Sequence, residues 1–263
     1  MKFFVCLIFS YLVFSGNAHA QSQIRITTGE WEPFLSNYSH EYGFSNHIVT
    51  EAFRNVGIEV IWGFFPWKRS YELAKKSRDW DASSIWRKTD RSEEHFLYSD
   101  KVSSSSYVFF HLKSFQFDWT RFDDLAKYHI GLTSSYQYGQ RFEETRKAFD
   151  IKISSSYKDE ALFKMLLKGR IQLFPNDPRV GAAQIRNVFS PEEAALLTFH
   201  PKRFAVSDLH LVISKNAKNG HELIRKFNKG LKILRESGRL AELNRDLEAG
   251  KYDKKATKFK KSP

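Results

Sequence analysis

Residues 81–100, DASSIWRKTDRSEEHFLYSD, constrain the fold more than any other stretch of the chain. Ala82 to Ile85 form a small, partly apolar run of the kind that ends a strand. It stops at once on Trp86, Arg87, Lys88 and Thr89, with Asp90 and Arg91 next. A second apolar piece, Phe96-Leu97-Tyr98, then closes on Ser99 and Asp100. A strand that halts at an aromatic ring and a cluster of donors presents them at the edge of a sheet, where a small anion can be clamped. Arginine suits that task because its planar fork meets a carboxylate with two parallel bonds.

The flanking segments alternate strand-like and helix-like patterns. Residues 23–28, QIRITT, alternate apolar and polar positions, and residues 58–64 read as a second strand. Between them Ile48, Ala52, Phe53 and Val56 repeat at helical spacing and end at Gly57. Pro66 is expected in the first turn of the next helix. Trp67 and Arg69 stand at that helix's start, where lining a binding site competes with plain surface or core roles. Ser156 and Asp159 have the spacing of a capping box for a helix through Leu162, Met165 and Leu166, stopped by Gly169. Residues 190–193, SPEE, repeat the capping signature with Pro191 in the first turn. Further strands are expected at residues 103–112, 129–133, 151–154, 170–174, 199–203 and 209–214.

Taken in order, these motifs resemble the periplasmic family 3 solute-binding proteins, the polar amino-acid receptors of ABC importers. The pattern D-A-x-x-x-W-x-K-T-x-R followed by Y-S-D is similar to that family's Asp-Ala strand, Thr-Pro-Glu-Arg turn and Phe-Ser-Asp/Glu-Pro element. Arg91 falls one residue early relative to Thr89, and Lys101 stands in place of the proline. Phe122-Asp123-Asp124-Leu125-Ala126 resembles the segment that opens the family's second lobe. Phe227, Asn228, Leu231, Leu234, Ser237 and Gly238 resemble its closing helix pair.

The resemblance implies an α/β chain with the two-lobed type II periplasmic-binding-protein fold: two mixed sheets flanked by helices and joined by two crossover strands. Residues 21–112 would begin lobe 1, residues 113–203 form lobe 2, and residues 204–250 return to lobe 1, leaving 251–263 as a solvated basic tail. It implies that Thr89 and Arg91 hold a carboxylate, with Trp31, Phe34, Trp67 and Trp86 as an apolar wall. Phe34 reads equally as an anchor for its loop. Tyr136 and Gln137 would close the site from lobe 2, and Asp177 would take a ligand ammonium, or else cap the helix that follows it.

Residues 1–20 have the layout of a cleaved signal peptide: Lys2, an apolar run from Phe3 to Phe14, and Ala18-His19-Ala20. The single cysteine, Cys6, lies inside it, so the exported chain is expected to lack disulfides. The net charge of +12 invites a polyanion-binding reading. Six lysines, however, sit in residues 251–263, and a periplasmic chain has little access to nucleic acid. No nucleophile elbow, metal-binding His pair or phosphate loop is present. The expectation is a monomeric periplasmic receptor without cofactor, taking a small carboxylate-bearing solute and handing it to an ABC permease. Two alternatives stand beside it: a sensing module for a membrane signalling partner, and a cyclohexadienyl dehydratase-like enzyme working through Glu30, Glu32 or Asp177.

Overall fold

The computed structural model describes residues 22–134 and 136–253, and the backbone alone of Arg91. The expected signal peptide therefore lies outside the described residues, as does the basic tail beyond Asp253.

The first half of the chain alternates strands and helices: β1 (Ser22–Thr28), α1 (Phe44–Arg54), β2 (Ile58–Phe64), α2 (Trp67–Lys76), β3 (Ala82–Trp86) and the short α3 (Asp90–Glu93). β4 (Phe96–Leu112) follows as one long strand where two separate pieces were expected. Next come β5 (Ile130–Thr133), α4 (Gln140–Ala148), β6 (Ile153–Ser156), α5 (Asp159–Leu167), β7 (Phe174–Asn176), α6 (Pro178–Val188), α7 (Pro191–Leu196) and β8 (Leu197–Phe199). The chain closes with β9 (Phe204–Ser214), α8 (Gly220–Glu236) and α9 (Arg239–Glu248).

These elements form two lobes. The sheet of lobe 1 runs β2-β1-β3-β9-β4, with β1 parallel to β2 and β3, and β9 antiparallel to β3 and β4. Beyond Tyr107, β4 leaves β9 and pairs instead with β7 and β8. β5 and β6 pair in parallel, and β5 joins the second lobe through the Ile130–Leu173 bridge. β4 and β9 are thus the two strands that cross between lobes. Each lobe has its own apolar core: Ile24, Ile26, Ile48, Phe53, Phe227 and Leu231 are among the residues that fill the first, and Phe-rich clusters around Phe109 and Phe163 fill the second.

Local chemistry accounts for most helix starts. Ser190 and Glu193 form the expected capping box of α7, and Asp177 caps α6 with Pro178 behind it. Other expectations need correction. Pro66 precedes the helix as its N-cap, with extended ψ, and α2 begins at Trp67. Ser156 does not cap α5. Its hydroxyl is spent on the backbone of Lys158, and the Asp159 carboxylate is drawn to side chains elsewhere in the lobe. The strand expected at 170–174 joins β4 only from Phe174, because Leu173 bonds back to Gly131. The strands expected at 151–154 and 199–203 lie at Ile153–Ser156 and Leu197–Phe199.

The first residues of the basic tail are anchored rather than frayed. Tyr252 is fully buried, and its hydroxyl meets His47 Nδ1 at 2.8 Å. His47 Nε2 lies 2.9 Å from Glu51, which Arg239 holds with a fork of bonds from α9. Burial pushes the His47 imidazole below its ordinary 6.5, although Glu51 and Glu41 pull the other way and Arg239 and His40 reinforce the shift. Below that pH the unfolded chain takes up a proton that the folded chain binds less readily, so stability is lost as the pH falls. The urea midpoint should therefore drop between about pH 7 and 5, and His47→Gln should flatten that part of the profile. An unchanged slope in the variant would contradict this assignment.

Candidate functional site

The strand ends of both lobes meet across a cleft spanned by β4. On the lobe 1 side, β1 runs out at Gly29, against which the Trp67 indole packs so closely that a Cβ there would come within 2.5 Å of the ring. Trp67 meets Trp86 edge to face at 5.3 Å, and Trp86 meets Tyr71 at 5.4 Å. The Trp86 indole N–H donates to Ser83 Oγ at 2.8 Å, which fixes the ring at the end of β3. Trp31 stacks on the fully buried Phe34 at 4.8 Å. The structure thus gathers these aromatics into two groups, Trp31 with Phe34 and Trp67 with Trp86.

Arg87, the first cation after β3, is one of the residues that span the cleft. Its guanidinium donates to Ser105 Oγ at 3.0 Å and Tyr107 Oη at 3.2 Å on β4, and to the Gln137 carbonyl of lobe 2 at 2.9 Å. It also lies 5.2 Å from the Tyr107 ring centroid. All these partners are neutral, and among the described residues Arg87 has no carboxylate partner. Burial pushes the Tyr107 phenol up, with Arg87 acting against that shift. Gln137 thus enters the cleft through its backbone, and its side chain is exposed.

The opposing wall in lobe 2 centres on Asp159. The residue is 7% exposed, yet among the described residues no cation pairs with it. Tyr136 Oη, Asn176 Nδ2 and Gln184 Nε2 donate to Oδ2 at 3.1, 3.1 and 3.0 Å, and Thr133 Oγ1 donates to Oδ1. Burial raises the Tyr136 phenol well above its ordinary range, and the neighbouring Asp159 charge adds to the shift. Tyr136 and Tyr107 face one another at 6.4 Å between centroids.

The remaining expected residues take other positions. Thr89 is exposed and caps α3, accepting from Ser92 N and meeting Ser92 Oγ at 2.6 Å. Arg91 stands in the first turn of α3, and its side chain lies outside the described residues. Arg69 is exposed, with its guanidinium 5.2 Å from the Phe65 ring. Asp177, 1% exposed, caps α6 through Arg179 N at 2.9 Å and accepts Ser106 N at 3.1 Å. Its counter-ion is Arg179, at 3.3 Å, whose guanidinium also reaches across to the Phe34 ring at 4.6 Å.

Tyr107, Asp159 and Arg179 are thus residues that the sequence motifs did not mark for the cleft, and Arg87 stood there only as one of the donors at the strand end. For Arg87 a signal existed: it is the first donor past a strand's carboxyl end, where ligands of α/β sheets bind. Asp159→Asn should turn one acceptor into a donor facing a donor, with a cost of about 1–3 kcal/mol. A urea denaturation midpoint equal to that of the parent chain would contradict the placement.

No protein-family model matches the chain, and no curated protein matches it. Solved structures do. The second substrate-binding domain of a putative amino acid ABC transporter from Streptococcus pneumoniae superposes with a TM-score of 0.65 at 18% identity, over 88% of this chain and 99% of that one. A histidine kinase sensor domain described as similar to periplasmic binding proteins gives 0.67 at 13% identity, over 86% and 96%. An ancestral amino-acid-binding protein, described as a precursor of cyclohexadienyl dehydratase, gives 0.63 at 18%, over 86% and 95%. Among the described residues no helix is long and apolar enough to cross a membrane. At these identities the likeness shows the architecture: the chain has the two-lobed periplasmic-binding-protein fold.

Proposed function

We propose that this chain is a periplasmic solute receptor that takes a small carboxylate-bearing solute, an amino acid or a relative of one, into the cleft between its lobes. The observation that carries this reading is Arg87: a cation at the end of β3, bonded to neutral partners, with no counter-ion among the described residues. A ligand carboxylate supplies that counter-ion and takes the place of the Gln137 carbonyl as an acceptor. In this reading Arg87 takes the part that the resemblance implied for Arg91, because Thr89 is committed to capping α3. Asp159, a buried carboxylate with neutral donors alone, gives lobe 2 the opposite polarity and suits an ammonium on the same solute. Trp67, Trp86 and Trp31 supply the apolar wall.

A receptor role is supported over the dehydratase reading by what the three acids named for that reading, Glu30, Glu32 and Asp177, do. Glu30 accepts the Asn37 N–H at 3.1 Å, Glu32 accepts from Asn187 across the lobes at 3.1 Å, and Asp177 is held by Arg179. Acids with such partners are poorly placed to move protons on a substrate. The likeness to a kinase sensor domain keeps signalling open as the output of the same capture step.

A thermal-shift screen of the exported chain against amino acids and small organic acids tests the reading. A ligand at about 100 times its Kd adds about 2.7 kcal/mol of stability. The hit should be abolished by Arg87→Ala, weakened by Arg87→Lys because the ammonium lacks the fork, and retained in Thr89→Ala. Binding that survives Arg87→Ala would overturn it.

A further inference from the structure

A second recess lies outside the cleft, on lobe 2, and none of the cleft residues above lines it. It has a volume of about 440 Å³ and is bounded by the 119–122 segment, the N-terminus of α4 and the 202–205 segment that enters β9. Its walls are aromatic: Trp119 stacks on Phe122 at 5.2 Å, and Phe204 closes the group at 5.6 Å from Phe122. Its rim is cationic. Arg121, Arg141, Lys202 and Arg203 all border it, and no Asp or Glu does.

Three of these cations are not neutralised. Arg121 pairs with Asp123 at 3.0 Å, but Arg141, Lys202 and Arg203 have no carboxylate partner among the described residues. Lys202 instead sits 4.5 Å from the Trp119 ring centroid and donates to the Thr120 carbonyl. Arg141 lies 5.9 Å from the Phe122 centroid, and Arg203 donates to Ser106 Oγ at 2.8 Å. Donors are in further surplus. α4 has no side-chain cap at Gly139, which leaves its first-turn N–H groups as donors, and Glu143 in that turn is paired with Arg146. The Trp119 indole N–H, in a residue 4% exposed, has no acceptor among the described residues.

We propose that this recess binds an organic anion with a flat aromatic body, a carboxylate or sulfonate whose charge meets Arg141, Lys202 and the α4 N-terminus while its ring lies against the half-buried Phe122, which packs on Trp119 and Phe204. The volume falls in the range of small-molecule sites, and a bare inorganic anion would leave the aromatic walls unused. The site stands independently of the cleft reading.

The test is calorimetric titration of the exported chain with naphthalene-2-sulfonate at low ionic strength, with 2-naphthalenemethanol as the neutral analogue. One-to-one saturable binding is expected, with the neutral analogue at least about tenfold weaker and affinity falling as salt rises. The Arg141→Ala/Lys202→Ala double variant should weaken binding by about tenfold or more, while Arg87→Ala leaves it intact. Both rim side chains are exposed; should the double variant misfold, Arg141→Gln alone carries the test, with a smaller loss. Absence of saturable heat, unchanged affinity in the rim variants, or loss of binding in Arg87→Ala would each overturn the proposal, the last by placing the probe in the cleft.

Discussion

The antiparallel pairing of β4 with β9 is the constraint on which the rest depends. It begins inside the lobe 1 sheet, at Phe96 opposite Ser214, and persists to Tyr107 opposite Phe204, where the lobes part. Its register shifts between Tyr98 and Lys101, between Lys101 and Ser103, and again between Ser105 and Tyr107. Ala205, at the crossing, adopts φ 47 and packs beneath Gly139, whose absent Cβ would come within 2.9 Å of it. An alanine pays for that backbone with strain that a glycine avoids. The last of these irregularities falls at the crossing itself, and the side chains of Ser105 and Tyr107, which meet Arg87, flank it.

Charge placement then gives the cleft its character. Asp177 and Arg179 neutralise one another, and their remaining bonds go to the backbone of Ser104 and Ser106, which ties α6 to β4. Among the described residues, Arg87 and Asp159 pair neither with each other nor with other ions. Asp159 is the buried one of the two, and a buried charge with neutral partners alone is costly; Arg87 is half-buried. Contacts that already cross the cleft, Arg87 to Gln137, Asn187 to Glu32 and Arg179 to Phe34, hold the lobes together. A solute that replaces one of them can shift the balance between open and closed forms only through contacts made better in one form.

The architecture was legible because apolar periodicity and punctuation report on local burial. The spacing through Phe53 to Gly57, the SPEE cap and the closing pair around Gly238 all fold as their patterns indicate. Strand ends in lobe 2 were less legible, since Leu173 and Phe174 bond to different neighbours and the pattern of one segment cannot show which. The cleft was legible in part. Its aromatics stand out by residue type, but Asp159 looked like a capping residue. Its partners Thr133, Tyr136, Asn176 and Gln184 are scattered over the lobe, so the network exists only after packing. Thr89 and Ser92 satisfy each other within one turn, a local bond that competes with any role toward a ligand.

The most direct test of the central claim is an interlobe distance, measured by pulsed electron spin resonance. The chain beyond Cys6 has no cysteine, so single labels can be placed cleanly. Lys68→Cys on α2 and Tyr157→Cys, at a position 85% exposed in lobe 2, report on the two lobes. The account predicts a narrow distribution in the parent chain, a longer or broader one when Arg87→Ala is added, and no response of that variant to the solute that binds the parent. One and the same distribution in all three samples would contradict the assignment of Arg87 as the link between the lobes and the seat of the ligand.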